Sequence, residues 1–253
     1  MEKEFSNAAE ARLAVWLMRH GSNSKESADA TGETLPLSDQ GRREGQAMAE
    51  FLAGKIDYPV LILTSDFARN IETGEIVGNA LMPKGEVARY SVPAIRSEDI
   101  AEVASIYGML QQLDAPEMYK QLDLSSAPRT VILVGNKRNM FLEHSRVVID
   151  LKGELTRISA HGEGFAEMDA DAIRTMAEDS DRSKFDAMVG EDSDMELFEE
   201  GRLVGYDLGT SHWQDFPDPD KVRLIVDRSF SETGKKWTLH MEAQRLAARN
   251  AQP

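Results

Sequence analysis

Short, unbroken apolar runs punctuate the first 150 residues of the chain. Those at 13–18, 60–63 and 131–134 are continuous rather than alternating, and a weaker one follows at 87–92. Continuous runs of β formers predict strands buried on both faces, as in a parallel sheet. Between them the period changes. Met48, Phe51 and Leu52 recur at helical spacing after Ser38, a residue suited to cap a helix N-terminus. Ile76, Val77, Ala80 and Leu81 do the same after Asp66, and Val103, Ile106, Tyr107 and Leu110 form a third apolar face. Strand alternating with helix predicts an α/β fold, a three-layer sandwich with a mostly parallel central sheet and right-handed crossovers.

From about Lys152 the pattern is different. Phe165, Met168, Ile173, Met176, Phe185, Met188 and Val189 stand at roughly helical spacing, and runs at 222–226 and 237–241 flank the turn-rich Ser231-Glu232-Thr233-Gly234. The expected organisation is an α/β core over 1–150, an acidic helical insertion over 151–215, and an edge hairpin and tail over 216–253 that complete the same domain.

Charge sharpens this division. The 253 residues carry 29 Lys and Arg against 44 Asp and Glu, a formal net charge of −15. Within 163–200 there are 14 acidic residues against Arg174, Arg182 and Lys184, so most of the excess lies in one segment, a candidate surface for a protein partner. Such a balance disfavours nucleic acid, whose phosphates need a basic face. Cysteine is absent, which excludes disulfides, thiolate metal sites and a Cys nucleophile. The run at 13–18 falls far short of a membrane span, and Met1-Glu2-Lys3-Glu4 lacks the basic start of a signal peptide. No membrane partner and a cytoplasmic location are expected. Asp192-Ser193-Asp194-Met195-Glu196 is not an EF-hand loop, because Leu197 stands where the sixth-position glycine is needed. No metal site is expected.

Candidate chemistry gathers at strand ends. The first run ends in Arg19-His20-Gly21, where parallel α/β sheets bind ligands. A histidine there can attack phosphorus through one ring nitrogen if the other is held in its tautomer, and an arginine can fork two donors onto phosphate oxygens. The second run leads into Thr64-Ser65-Asp66-Phe67-Ala68-Arg69-Asn70-Ile71-Glu72-Thr73, which puts Arg69 in the first turn of a helix, near the positive end of its dipole.

Read in order, Leu17-Met18-Arg19-His20-Gly21, Leu37-Ser38-Asp39-Gln40-Gly41 and Ser65-Asp66-Phe67-Ala68-Arg69-Asn70-Ile71-Glu72-Thr73 resemble the histidine phosphatase, or phosphoglycerate mutase-like, superfamily. Its members show Arg-His-Gly at a strand end, Leu-Ser-x-x-Gly-x-x-x-Ala opening a helix, then Ser-x-x-x-Arg-Ala-x-x-Thr. The match spans roughly residues 11–150, and apart from the acidic insertion the layout is most similar to the short bacterial phosphohistidine phosphatases. The resemblance implies that His20 is a nucleophile forming a phosphohistidine that water hydrolyses. It implies that Arg19 and Arg69 hold the phosphoryl oxygens. Ser22 and Asn23 would add neutral donors, although Asn23 stands where the family has Ser or Thr. No cofactor is implied.

The chain departs from the family after the fourth strand. Members place a second histidine there, whereas this chain reads Val134-Gly135-Asn136-Lys137-Arg138, with Asn136 in that place. An amide can donate a hydrogen bond but cannot carry charge. Lys137 or Arg138 supplies the charge instead, or both face solvent on the next helix. His144 reads as a packing or surface residue, His212 as a packed aromatic pair with Trp213 rather than a ligand, His240 belongs to the edge strand, and His161 lies in a loop able to fold over the pocket. Glu98 and Asp99 are the candidates for a general acid, or for capping the following helix. The leading expectation is a phosphatase acting on a phosphorylated small molecule or phosphoprotein, at a phosphomonoester or a phosphohistidine. The alternative is a weak or inactive relative that binds a phosphorylated ligand or partner. A mutase is disfavoured, because it needs the second histidine and a strong acid.

Overall fold

The structure is a computed structural model and describes residues 12–24, 33–96, 108–136, 200–215 and 223–231. Its described strands form one six-stranded sheet in the order β3-β2-β4-β1-β5-β6. The strands are β1 (Ala14–Arg19), β2 (Val60–Thr64), β3 (Val87–Ser91), β4 (Thr130–Gly135), β5 (Arg202–Asp207) and β6 (Arg223–Ser229). β3, β2, β4 and β1 run parallel, β5 is antiparallel to β1, and β6 is antiparallel to β5. With helices packed on this mostly parallel sheet, the fold is α/β.

The four expected strand runs coincide with β1 to β4. Val15 to Met18, all of β2 and all of β4 are buried, which is why their sequence is apolar on both faces. Helix α1 (Asp39–Leu52) starts at Ser38, whose hydroxyl accepts the Gly41 N–H at 3.0 Å, so one otherwise orphaned donor is satisfied as a capping serine should do. Helix α2 (Ala68–Leu81) follows Phe67, which gives no side-chain cap. Met48 and Leu52 from α1 and Val77 and Leu81 from α2 meet Trp16 and Ile62 in the core, all fully buried. A short helix, α3 (Pro116–Gln121), leads toward β4. The Trp213 indole N–H donates to Pro128 O at 2.7 Å, fastening the turn after β5 to the approach of β4.

Two expectations change. The boundary of the helical insertion at residue 215 is wrong, because Arg202–Asp207 is strand β5, inserted in the sheet beside β1. Its run is short and broken by Gly205, where a Cβ would stand 2.5 Å from the Trp16 ring, so glycine is what lets the indole pack this close to the strand. His212 is exposed while Trp213 is buried, so the two do not form a packed pair. Of the edge hairpin, β6 is described, and its described pairing is to β5. Residues 163–199, the 237–241 arm with His240, and most of the third helical face lie outside the described residues. No helix among the described residues is long and apolar enough to cross a membrane.

Candidate phosphoryl-transfer site

β1 and β4 end side by side, with Arg19 in register with Gly135, so His20 and Asn136 emerge next to each other at the carboxyl edge of the sheet. His20 is 2 % exposed. Its backbone is held on two sides: its N–H donates to Gly135 O at 3.4 Å, and its carbonyl accepts the Gly201 N–H at 2.9 Å. In the ring, Nδ1 lies 2.7 Å from Gly21 O. A carbonyl oxygen only accepts, so Nδ1 carries the proton and Nε2 keeps its lone pair. Burial, then the charges of Arg19 and Arg69, hold the imidazole pKa well below its ordinary value, against the opposing pull of the Gly21 contact. The ring is therefore neutral at neutral pH, with Nε2 unprotonated.

Arg69, the second residue of α2, reaches this nitrogen. Its Nε donates to His20 Nε2 at 3.0 Å, and its guanidinium lies over the Phe67 ring at 4.8 Å. Nε and Nη2 also donate to Asn136 Oδ1 at 3.1 and 2.7 Å. Burial lowers the Arg69 pKa, with the charge of Glu200 acting in the opposite direction. The first turn of α2 is tied back to β1 through Thr73, whose hydroxyl donates to Arg69 O at 2.8 Å and accepts the Gly21 N–H at 3.4 Å. Arg19 ends β1 with its side chain 14 % exposed and pairs with Glu200 at 3.8 Å. Residues 50 positions apart in sequence thus meet around one buried imidazole.

The loop after His20 depends on close backbone contact with α1. A Cβ on Gly21 would stand 2.3 Å from Gly41 O, and one on Gly41 would stand 2.0 Å from Ser22 O. Ser38 locks the approach, since its N–H and its hydroxyl both donate to Ser22 O at 2.9 Å. Ser22 donates its N–H to Glu44 Oε2 at 2.7 Å and its hydroxyl to the same carboxylate, so in this structure its donors are engaged in holding the loop. Asn23 makes a single bridge to Leu37 beside this loop.

Asn136 stands in the pocket, but as an acceptor. The groups facing its Oδ1 are N–H donors, two from Arg69 and the Asn70 amide at 3.3 Å. Asn70, fully buried, also donates to the Ser65 hydroxyl. The sequence carried a signal for this, because Asn70 replaces the alanine of the family's Ser-x-x-x-Arg-Ala-x-x-Thr pattern. Glu200 carried none. Its position follows from β5 pairing with β1, which sets Leu203 opposite Met18 and brings the start of β5 to the end of β1. Glu98, Asp99, Lys137, Arg138, His144 and His161 lie outside the described residues.

Residues 15–123 match the model of the histidine phosphatase superfamily (branch 1). Among solved structures, the protein histidine phosphatase SixA complexed with tungstate is 16% identical, with a TM-score of 0.48, covering 86% of this chain and 97% of its own. The mycobacterial glucosyl-3-phosphoglycerate phosphatase is also 16% identical, with a TM-score of 0.47, covering 86% of this chain and 99% of its own. No curated protein matches the chain. The Arg-His-Gly strand end, the helix capped by Ser38 and the stretch from Ser65 to Thr73 all fall inside the matched residues, so it is this part of the chain, residues 15–123, that is similar to the histidine phosphatase superfamily.

Proposed function

We propose that the protein hydrolyses a phosphomonoester or a phosphohistidine through a phosphoryl group carried on His20. The observation that carries this is the state of the imidazole: Nδ1–H is held on Gly21 O, and Nε2 presents a lone pair beside two arginines. A phosphoryl group entering the pocket takes the Arg69 Nε donor that rests on Nε2, and Arg19 binds a second edge of it. Nε2 attacks phosphorus, the bond to the leaving group breaks, and the arginines stabilise the equatorial oxygens as charge spreads over them. Water then attacks the phosphohistidine and Nε2 recovers its lone pair. Burial supports the first step, because a desolvated neutral ring needs no deprotonation to act.

A second reading, a phosphate-binding relative with weak turnover, draws on Asn136. A neutral acceptor stands where the family has a second histidine, and loss of one charged donor from such a pocket costs on the order of 2.7–4 kcal/mol of transition-state stabilisation. Turnover of 4-nitrophenyl phosphate, with His20→Ala as control, separates the two. The proposal expects turnover that the variant loses. Phosphate binding without His20-dependent turnover favours the second reading.

A further inference from the structure

The carboxylate of Glu200 is not accounted for by phosphate binding. It stands 3.8 Å from Arg19 Nη2, and its charge also acts on Arg69, so an acid shares the two arginines that would hold the phosphoryl group. Its place is fixed from the backbone. Gly201, at φ 72°, donates its N–H to the His20 carbonyl at 2.9 Å, so the residue before it is tethered to the nucleophile's own peptide. Glycine suits that left-handed conformation.

We infer that Glu200 is the proton donor to the departing oxygen, so that the site is equipped for alkyl phosphomonoesters rather than for phosphohistidine alone; this rests on the phosphatase reading above. Two observations support it. His20 is buried, whereas Glu200 is 30 % exposed, so it lies on the open side of the pocket. A nucleophile attacking from the buried side expels its leaving group toward that open side. Glu44, the buried acid nearest to Gly201, is occupied in accepting from Ser22 and Gln40. An imidazole leaving group needs little acid help, and an alkoxide needs a great deal.

The step balances. His20 Nε2 forms a bond to phosphorus, the phosphorus–oxygen bond breaks, and the oxygen takes the Glu200 proton. In the second half, the Glu200 carboxylate takes a proton from the attacking water, and the nitrogen–phosphorus electron pair returns to His20.

The test compares wild type, Glu200→Gln and Glu98→Gln on 4-nitrophenyl phosphate, a good leaving group, and on a simple alkyl phosphate. Glu200→Gln should lower kcat/KM on the alkyl ester by about 10²-fold or more while changing the nitrophenyl ester by only about threefold. Inhibition by inorganic phosphate should tighten, because a negative charge leaves the pocket. Equal loss on both esters, or no loss on either, overturns the inference, as does a leaving-group effect found in Glu98→Gln alone. Wild type that fails to turn over even the nitrophenyl ester overturns the phosphatase reading as well, so the two failures are distinguishable.

Discussion

Gly41 touches no phosphate, yet adding one methyl group to it should disable the site. An alanine Cβ there would stand 2.0 Å from Ser22 O and 2.9 Å from Ser22 C and N. The contact must open to at least about 3 Å, so the backbones must part by about 1 Å, and neither side is a flexible side chain that can swing away. Ser22 lies two residues after His20, and both Ser38 donors and the Glu44 carboxylate grip the same segment. Overpacking of this kind costs about 1–3 kcal/mol of stability, and a misplacement of about 1 Å costs about 10²-fold in rate. The assay is kcat/KM on 4-nitrophenyl phosphate together with thermal unfolding. Gly54→Ala is the control, because a Cβ there meets nothing within 4 Å. Gly41→Ala with the Tm and activity of wild type would refute the claim that this backbone contact places the nucleophile.

Asn136→Ala removes the acceptor for two Arg69 donors and for Asn70. Hydrogen bonds to charged groups are worth about 1.5–3 kcal/mol, so kcat/KM should fall by about 10- to 100-fold, and unchanged kinetics would show that Arg69 does not depend on it. A third prediction concerns His20 and pH. Its folded pKa is depressed, so below the unfolded value of about 6.5 the unfolded chain binds a proton that the folded chain refuses. Stability present above pH 6.5 is therefore lost as pH falls toward the folded pKa, by up to about 1.4 kcal/mol per pH unit. The unfolding free energy of wild type minus that of His20→Asn should shrink between pH 7 and pH 5, and parallel curves would contradict it.

The strands legible in the sequence are those buried on both faces. β1, β2 and β4 need no periodicity to be seen, because every residue between Val15 and Met18 or Val60 and Thr64 meets a buried surface. α1 was legible for a different reason, since Ser38 supplies its cap chemistry locally. β5 was not. Its three apolar residues, Leu203, Val204 and Tyr206, are interrupted by Gly205, whose reason is the Trp16 ring nearly 190 positions earlier. The same distinction divides the site. Arg19, His20 and Arg69 are read from contiguous motifs, and topology brings them together. The direction of the Asn136 amide depends on which groups face it, and Glu200 depends on β5 lying beside β1. Neither relation leaves a mark within its own stretch of sequence.

The central claim is that His20 Nε2 accepts a phosphoryl group. Wild type mixed with 4-nitrophenyl phosphate and quenched in base should yield a phosphorylated peptide containing His20, stable in alkali and lost in acid. A nitrogen-linked phosphorus resonance should be visible in the denatured protein, and His20→Ala should give neither signal. Turnover that proceeds with no adduct, or with a reproducible adduct on another residue, would contradict the mechanism.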